Sequence, residues 1–177
     1  MTKYLGSKHD DNHAGLESLM LGYGGDDHLT AETLNFVSLY GGRGGDYLDA
    51  TLTNGALLSG GRGRDILVGG EGNDLIKGGR GKDALEGGDG NDTLRGGKGH
   101  DVFVFRLNET GIDTIADFTP GKDKIVLSAK AFEGVTESNW FGSVVDYDGK
   151  HLSFKGDVFA MISGGVEIHF DDFLFVG

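Results

Sequence analysis

Carboxylates at a fixed spacing run through the middle of the chain, and such a series is a candidate set of ligands for a cation. From Gly60 to Val104, five units of nine residues follow one another without a gap and obey the rule Gly-Gly-x-Gly-x-Asp-x-apolar-x. Two further units, GYGGDDHLT and GGRGGDYLD, begin at Gly22 and Gly41. The candidate metal ligands are the sixth-place aspartates Asp27, Asp46, Asp65, Asp74, Asp83, Asp92 and Asp101.

The kind of ligand that these units offer indicates which cation they would hold. Carboxylates and the carbonyls of glycine-rich turns form a flexible, all-oxygen set. This set favours Ca²⁺ over Mg²⁺, which requires tight octahedral geometry, and over Zn²⁺, which prefers nitrogen and sulfur. The chain has no cysteine, so a thiolate site is excluded. His9 and His13 stand four apart, but Asp10 replaces the glutamate of a zinc-protease helix, and we interpret both as loop histidines.

Each unit divides into a turn and a short strand. The first six residues form the turn, because glycine permits positive φ and close backbone approach. The last three form a strand whose middle residue points inward. One inward side chain per nine residues makes a thin core, so we expect apolar burial alone to be insufficient. The predicted inward residues are Leu29, Leu39, Leu48, Leu58, Leu67, Ile76, Leu85, Leu94 and Phe103.

Two units per coil would place alternate turns on opposite edges of the molecule. The second edge would hold Asp74 and Asp92, together with the degenerate units 32–40 and 51–59, which have lost the aspartate. The unit 6–14, with Asp11 in sixth place, would be a further worn turn. We predict a ladder of up to four inter-turn sites on the first edge and one or two on the second. The first edge would stack Asp27, Asp46, Asp65, Asp83 and Asp101, each of which follows the one before it by two units.

Stacked carboxylates would repel one another. Neighbouring strands repeat at about 4.8 Å, and two carboxylates about 5 Å apart repel by about 3 kcal/mol at an effective dielectric constant of 20. Several such pairs rival a typical domain stability of roughly 5–15 kcal/mol. Because a cation between successive turns would turn this repulsion into attraction, we predict that bound ions replace the missing core.

The nonapeptides resemble the repeats-in-toxin (RTX) family of hemolysin-type calcium-binding repeats. The resemblance covers residues 22–104 and is strongest from Gly60 onward. It implies an all-β fold, a right-handed parallel β-roll that binds several Ca²⁺ ions between successive turns of one edge. It also implies that backbone carbonyls from the first four places join the aspartates as ligands. In the contiguous units these are the carbonyls of Gly60, Arg62, Gly63, Gly69, Glu71, Gly72, Gly78, Arg80, Gly81, Gly87, Asp89, Gly90, Gly96, Lys98 and Gly99.

The composition changes after the repeats. We therefore divide the chain into an N-terminal cap (1–21), the β-roll (22–104) and a β-rich C-terminal cap with a secretion-signal region (105–177). The apolar runs VFVF, DTIADF, KIVLS, DVFAMISG and VEIHFDDFLFVG predict strands, and Asp148-Gly149 predicts a hairpin turn. The segment 129–140 has no clear period and suits a short helix. Candidate ligands of one additional Ca²⁺ site are Asp113, Asp117 and Asp123.

The segment that runs from GGKGHDVFVF to KIVLS resembles the C-terminal domain of serralysin-type secreted proteases and the calcium-binding modules of bacterial alginate epimerases. The final DDFLFVG is similar to the tail of type I secretion substrates. These resemblances imply a bacterial, extracellular protein that passes the type I secretion machinery unfolded and folds outside the cell. MTKYLGSKHDDNHAG contains no apolar run long enough for an N-terminal signal peptide, which agrees with that route.

Net charge and motifs exclude several classes of function. The net charge of −12 argues against nucleic acid or an anionic membrane as the main partner, and no apolar run is long enough to span a membrane. The sequence contains no G-x-S-x-G elbow and no phosphate loop. The catalytic domains of the proteases, lipases and epimerases that carry such repeats have no counterpart here. We expect a non-catalytic module, either part of a larger secreted enzyme or an exoprotein in its own right.

Basic side chains on the first edge support an alternative function. They occupy the third and fifth places of the units. They either compensate the charge of the nearby aspartates or contact an acidic polysaccharide such as alginate. The alternative is therefore a polysaccharide-binding module of a secreted polysaccharide-modifying enzyme or adhesin. The candidate polysaccharide-binding residues are Arg43, Arg62, Arg64, Arg80, Lys82 and Lys98.

Overall fold

The chain winds as a parallel β-solenoid whose strands alternate between two sheets. The computed structural model describes residues 3–33, 35–106, 109–128 and 145–176. Odd-numbered strands lie in the first sheet and most even-numbered strands in the second, so each coil contributes one strand to each. At the first edge the chain passes from the first sheet to the second, and at the second edge it returns. This confirms the all-β parallel roll with two units per coil.

The first sheet is built from strands β1 (Lys3–Leu5), β3 (Leu19–Leu21), β5 (Val37–Arg43), β7 (Ala56–Gly63), β9 (Leu75–Gly81), β11 (Thr93–Gly99) and β13 (Asp113–Ile115). The second sheet is built from β2 (Asn12–Gly15), β4 (His28–Ala31), β6 (Tyr47–Asp49), β8 (Ile66–Val68), β10 (Ala84–Glu86), β12 (Val102–Arg106) and β14 (Lys124–Ser128). Neighbouring strands within these two runs are parallel.

The centre of the core is a stack of buried apolar side chains, to which successive strands of both sheets contribute. All nine residues predicted to point inward are 0% exposed, and Met20, Ile115 and Ile125 extend the stack at its two ends. Register is kept through the degenerate units, since Leu39 pairs with Leu58. The extra residue before each of these units, Ala31 or Ala50, is itself buried. The nine-residue period therefore predicts the core correctly, including the coils that have lost their aspartates.

The strands of the first sheet are longer than predicted. The three-residue strand after a six-residue turn holds for β6, β8 and β10, but β5, β7, β9 and β11 continue through the glycines of the next unit. Glycine at positive φ explains this, because it lets the turns of successive coils touch. A Cβ on Gly61 (φ 112°) would lie 2.3 Å from the carbonyl oxygen of Gly42, and one on Gly81 (φ 147°) would lie 1.4 Å from that of Gly63.

The C-terminal part continues the roll before closing it. Strands β13 and β14 add one more coil to the two sheets, so neither sheet breaks at the predicted boundary after residue 104. Strand β17 (Asp157–Ile162) pairs in parallel with β13, and an antiparallel hairpin of β15 (Val145–Tyr147) and β16 (His151–Phe154) follows on its other side. The predicted hairpin turn at Asp148-Gly149 is confirmed.

The end of the chain is only partly a strand. The prediction of a strand over 166–177 is wrong for its first half, where a 3₁₀ turn occupies Phe170–Asp172. Strand β18 (Phe173–Val176) then pairs in parallel with β14 and covers the end of the second sheet. The helix expected over 129–140 lies outside the described residues. Within the described part of the chain, no helix has the length and apolar character needed to cross a membrane.

Candidate metal centre

The sixth-place aspartates form a continuous ladder on the first edge, as their spacing of two units predicts. The backbone N–H of each aspartate donates to Oδ1 of the aspartate one coil later. This bond fixes each carboxylate against the turn that precedes it. The N···Oδ1 distances are Asp27–Asp46 2.9 Å, Asp46–Asp65 2.9 Å, Asp65–Asp83 3.0 Å and Asp83–Asp101 3.1 Å.

This ladder is longer than predicted at its C-terminal end and begins at the worn unit. The N–H of Asp11 donates to Oδ1 of Asp27 at 2.8 Å, so the unit 6–14 is the first turn of the roll. The N–H of Asp101 donates to Oδ1 of Asp123 at 3.0 Å, so Asp123 is the last rung. Asp123 retains an apolar residue, Ile125, two positions later. Its spacing from Asp101 is longer than two units, which conceals this repeat from a search for strict nonapeptides.

The second edge carries a shorter ladder. The N–H of Asp74 donates to Oδ1 of Asp92 at 2.8 Å, and that of Asp92 to Oδ1 of Asp113 at 2.9 Å. Upstream, the sixth place is taken by Ala56, whose N–H donates to Oδ1 of Asp74 at 2.6 Å. The degenerate unit therefore keeps the donor of the ladder and lacks the carboxylate.

The three candidate ligands after the repeats do not meet in one site. Asp113 ends the ladder of the second edge, and Asp123 ends that of the first. Asp117 accepts the backbone N–H groups of Gly96 and Gly97, at 2.9 and 3.1 Å. Among the described residues, no group of three or more His, Asp or Glu side chains is arranged to hold a metal ion. A cation on these ladders therefore depends on backbone oxygens as well as carboxylates.

Six of the aspartates have a buried oxygen without a hydrogen-bond partner. In each of them Oδ2 is shielded from solvent and accepts nothing, and the whole residue is at most 2% exposed. A buried acceptor without a donor is rare in folded proteins, because it loses the hydrogen bonds that it makes to water. We call these six residues the open rungs. They are Asp27, Asp46, Asp65, Asp83 and Asp101 on the first edge and Asp92 on the second.

Three aspartates satisfy the same oxygen within their own turn, and we call them the closed rungs. Oδ2 of Asp11 accepts the N–H of Ser7 at 2.6 Å. Oδ2 of Asp74 accepts that of Gly70 at 2.9 Å, and Oδ2 of Asp123 accepts that of Thr119 at 2.8 Å. Each donor lies four residues before its acceptor in the sequence. Closed rungs stand at the ends of ladders, where the stack of glycine turns begins or stops.

Burial of the carboxylates raises their pKa values. Burial is the main cause of a pKa of about 7 for Asp65 and about 6 for Asp46 and Asp83, partly offset by the ladder hydrogen bonds. Neighbouring aspartates raise these pKa values further. The pKa values of Asp92 and Asp113, which interact, are raised for the same main reason. The predicted repulsion between carboxylates therefore raises these pKa values less than burial does. The ladder holds Oδ1 in a hydrogen bond, so the uncompensated charge lies at Oδ2.

The space beside the first glycine of a unit is lined by oxygens that suit a cation. A Cβ on Gly22 would lie 2.0 Å from Oδ2 of Asp27 and 2.6 Å from the carbonyl oxygen of Gly41. A Cβ on Gly78 would lie 2.5 Å from Oδ2 of Asp83 and 2.8 Å from the carbonyl oxygen of Gly96. Calcium binds oxygen at about 2.3–2.6 Å. An unpartnered carboxylate oxygen and a carbonyl of the next coil thus come together beside the first glycine, and Ca²⁺ accepts oxygens of both kinds.

The predicted carbonyl ligands differ in their surroundings. The first-place carbonyls of Gly87 and Gly96 border the space just described. The third-place carbonyl of Arg62 accepts the N–H of Gly44 at 2.8 Å, which leaves one lone pair for a metal. The fourth-place carbonyl of Gly63 abuts the next coil, 1.4 Å from an ideal Cβ of Gly81. The remaining carbonyl assignments stay predictions.

The basic residues of the first edge form two columns rather than one line. The third-place column faces an open groove floored by glycine. The fifth-place column faces a different groove, beside the carboxylates of Asp65 and Asp83. All of these cationic side chains are exposed. The third-place column is Arg43, Arg62, Arg80 and Lys98, and the fifth-place column is Arg64, Lys82 and His100.

Together, the fold and the ladders define a parallel β-solenoid with stacked aspartates along both edges. The family model of the RTX calcium-binding nonapeptide repeat, built from four copies, matches residues 57–85 and 78–105. The chain therefore carries RTX calcium-binding nonapeptide repeats, which bind several Ca²⁺ ions per module. This confirms the predicted family of the repeats and the predicted ion. Comparison of the chain with curated protein sequences gives no match.

Proposed function

We propose that the chain is an extracellular module whose folding is driven by Ca²⁺ and which serves a secreted protein as a non-catalytic carrier or accessory part. The observation that carries this proposal is the set of six open rungs. Each buries a carboxylate oxygen that no protein group satisfies. A hard cation with flexible coordination is the partner that such oxygens and the neighbouring turn carbonyls accept.

The energetic balance supports folding coupled to calcium. An unpartnered buried acceptor costs about 1–3 kcal/mol, and more when it is charged. The summed cost of six such acceptors is as large as the whole stability of a small domain, which is roughly 5–15 kcal/mol. Without cations the roll therefore lies near the limit of stability. Because Ca²⁺ binds the assembled turns and not the extended chain, its binding energy becomes folding energy.

This coupling suits a protein that is exported before it folds. Where Ca²⁺ is scarce, as in the cytosol, the open rungs would keep the chain unfolded and fit for the type I secretion machinery. Outside the cell, Ca²⁺ would complete the roll. The resemblance of the final DDFLFVG to type I secretion tails supports this route. In the folded chain Phe173–Val176 of this tail form strand β18, so the machinery would meet them free only in the unfolded chain.

Far-UV circular dichroism during a Ca²⁺ titration tests the proposal, with Mg²⁺ as the control ion. We expect a cooperative transition from coil to sheet with Ca²⁺ and none at equal Mg²⁺. The unfolded spectrum in chelator would agree with passage through a narrow channel. A complete β spectrum in chelator that Ca²⁺ leaves unchanged would refute calcium-driven folding.

A second candidate function is binding of an acidic polysaccharide, of the alginate type, as part of a secreted polysaccharide-modifying enzyme or adhesin. One observation favours it: the cations of the third-place column have no carboxylate partner. Ion pairs within the described residues involve only Glu17 with His13, Asp148 with His151, and the carboxylates around Arg106. Binding of a uronate oligosaccharide to the Ca²⁺-folded chain, measured by calorimetry, tests this function.

A further inference from the structure

The third-place column is a row of like charges in strict register. Arg43 pairs with Arg62, Arg62 with Arg80, and Arg80 with Lys98 across neighbouring strands. Adjacent positions in such a row are about 4.8 Å apart. Like charges placed directly opposite one another in a sheet are destabilising. The row therefore destabilises the free protein by charge repulsion, and an anionic partner would remove this repulsion.

Compensation of the buried aspartates does not explain this row. The second edge buries the same kind of aspartate, yet its contiguous units carry Glu71 and Asp89 in third place. Its fifth place holds Asn73 and Asn91, which are neutral. If third-place cations were needed to balance a ladder, the second edge would require them as well. The sequence instead puts opposite charges on the outside of two similar turns.

The fifth-place column lies in a different groove from the third-place column. Asp65 and Asp83 also belong to that groove, although both residues are buried. Burial raises the pKa of Asp101, and the neighbouring His100 acts in the opposite direction. The Nδ1 atom of His100 also contacts the carbonyl oxygen of Lys122 at 3.1 Å. The fifth-place column therefore provides a control for the third-place column, because it lies outside the groove of Tyr23.

An aromatic residue in a strained position lies at the N-terminal end of the third-place groove. Tyr23 occupies the second place of its unit, where the later turns of this edge have glycine. It keeps the positive φ of those glycines, 77°, which is unfavourable for a side chain with a Cβ. The residue is 51% exposed, and its carbonyl accepts the N–H of Arg43 at 3.2 Å. Strain at an exposed aromatic residue that lines a groove indicates a functional role.

We propose that Tyr23 and the third-place column form the binding groove for a linear acidic polysaccharide that lies along the axis of the roll. The four cations would each meet a carboxylate of the polymer, and the ring of Tyr23 would stack on the apolar face of one pyranose ring. The flat glycine floor, Gly42 to Gly97, lets a chain approach the backbone. The aromatic ring favours a carbohydrate over a polymer that carries charge alone. This inference rests on the second candidate function and names its site.

Calorimetry with short oligogalacturonates tests the groove in Ca²⁺-saturated protein, since short oligomers avoid gel formation. The double variant Arg62→Ala/Arg80→Ala removes two charges from the groove, and Arg64→Ala/Lys82→Ala removes two from the fifth-place column. Backbone carbonyls are unchanged in both. We expect the first variant to bind at least about tenfold more weakly and the second to change by less than about threefold. Equal weakening in both variants would overturn the assignment, because it would reflect net charge alone.

The variant Tyr23→Gly tests the aromatic platform. Glycine is the residue of the neighbouring turns at this place, so the variant should fold at least as well as the parent chain while it binds the oligomer several-fold more weakly. Unchanged affinity would remove Tyr23 from the site. Inorganic polyphosphate provides a charge-only comparison, and tighter binding of polyphosphate than of oligogalacturonate would overturn the choice of a carbohydrate.

The failure of the groove and that of the calcium-driven fold give different results. Circular dichroism of each calorimetry sample reports whether the roll has formed. If the parent chain gives no Ca²⁺-dependent β spectrum, the proposed folding function is wrong. If the spectrum forms and Arg62→Ala/Arg80→Ala binds the oligomer like the parent chain, the groove assignment alone is wrong.

Discussion

The two edges of the roll repeat the same turn and differ in how far the repeat is kept. On the first edge, seven aspartates follow one another from Asp11 to Asp123 without interruption. On the second edge the ladder begins at Asp74, because Ala56 occupies the sixth place one coil earlier. The nine-residue core register is nevertheless continuous through both. Apolar packing and metal ligation are therefore separable properties of this repeat.

The comparison shows what makes a rung available to a cation. An open rung lies inside a stack of glycine turns, where the coil before it holds its Oδ1 and no donor reaches its Oδ2. A closed rung lies at the end of a stack and turns its Oδ2 to its own backbone. Availability therefore depends on the neighbouring turns as well as on the aspartate itself.

The largest expected effect follows from filling the space beside an open rung. Gly60→Ala places a Cβ 2.3 Å from Oδ2 of Asp65. The carboxylate must move, so both its ladder bond and its cation are disturbed. We expect a loss of about 3 kcal/mol of stability in Ca²⁺ and a rise of at least about tenfold in the Ca²⁺ midpoint of folding, measured by circular dichroism.

Gly24→Ala is the matched control for this change. A Cβ on Gly24 would meet nothing closer than 3.7 Å, and this glycine does not have a positive φ. We expect its midpoint to stay within about twofold of the parent value, because the added methyl group would make only ordinary van der Waals contacts and the backbone would not be strained. Equal effects of the two alanines would mean that the first glycine is needed for backbone freedom and not for space.

The next effect compares an open with a closed rung on the same edge. Asp92→Asn removes the charge from an open rung and keeps an acceptor for the ladder, whereas Asp74→Asn does the same to a closed rung. We expect the Ca²⁺ midpoint to rise about tenfold for Asp92→Asn, which corresponds to about 1.4 kcal/mol. For Asp74→Asn we expect less than about threefold. A larger effect at Asp74 would show that closed rungs open when Ca²⁺ binds.

The raised pKa values predict how pH acts on the roll in chelator. The folded-state pKa of Asp65 is about 7 and those of Asp46 and Asp83 about 6, each above the ordinary 3.8. The folded chain therefore holds protons that the unfolded chain releases, so this stability is complete below about pH 4 and is lost as pH rises through 6 to 7. We therefore expect far-UV circular dichroism in chelator to show more β structure at pH 5 than at pH 8.

The Ca²⁺-bound roll should show the opposite dependence on pH, and this provides the control. Protons and Ca²⁺ compete for the same oxygens, so the Ca²⁺ midpoint should fall as pH rises. Less β structure in chelator at pH 5 than at pH 8 would contradict the burial of ionisable open rungs. The open rungs of the first edge dominate this effect, since five of the six lie there.

The sequence alone predicts the core, the two edges and the ion, because each depends on the period of nine. Leu67 and Leu85 point inward, and Asp65 and Asp83 stack, since positions two units apart occupy equivalent places in successive coils. The closed state of Asp74 is not predictable in this way, because it depends on the degenerate turn beside it. The period of nine does not identify Asp113 and Asp123 as rungs, because inserted residues lengthen their coils beyond two units.

The smallest expected effect on calcium comes from restoring the missing carboxylate of the second edge. Ala56→Asp puts an aspartate back in sixth place, where the backbone N–H already donates to Asp74. In the other units Oδ2 of the aspartate lies close to where a Cβ of the first-place glycine would be. The first place of this unit holds Thr51, whose Cβ would occupy that space. The new carboxylate would be buried without a cation. We therefore expect the variant to lose about 1–3 kcal/mol of stability and its Ca²⁺ midpoint not to fall. A lower midpoint, or one more bound Ca²⁺ by calorimetry, would show that the aspartate alone creates a site and that the glycine turns merely accommodate it.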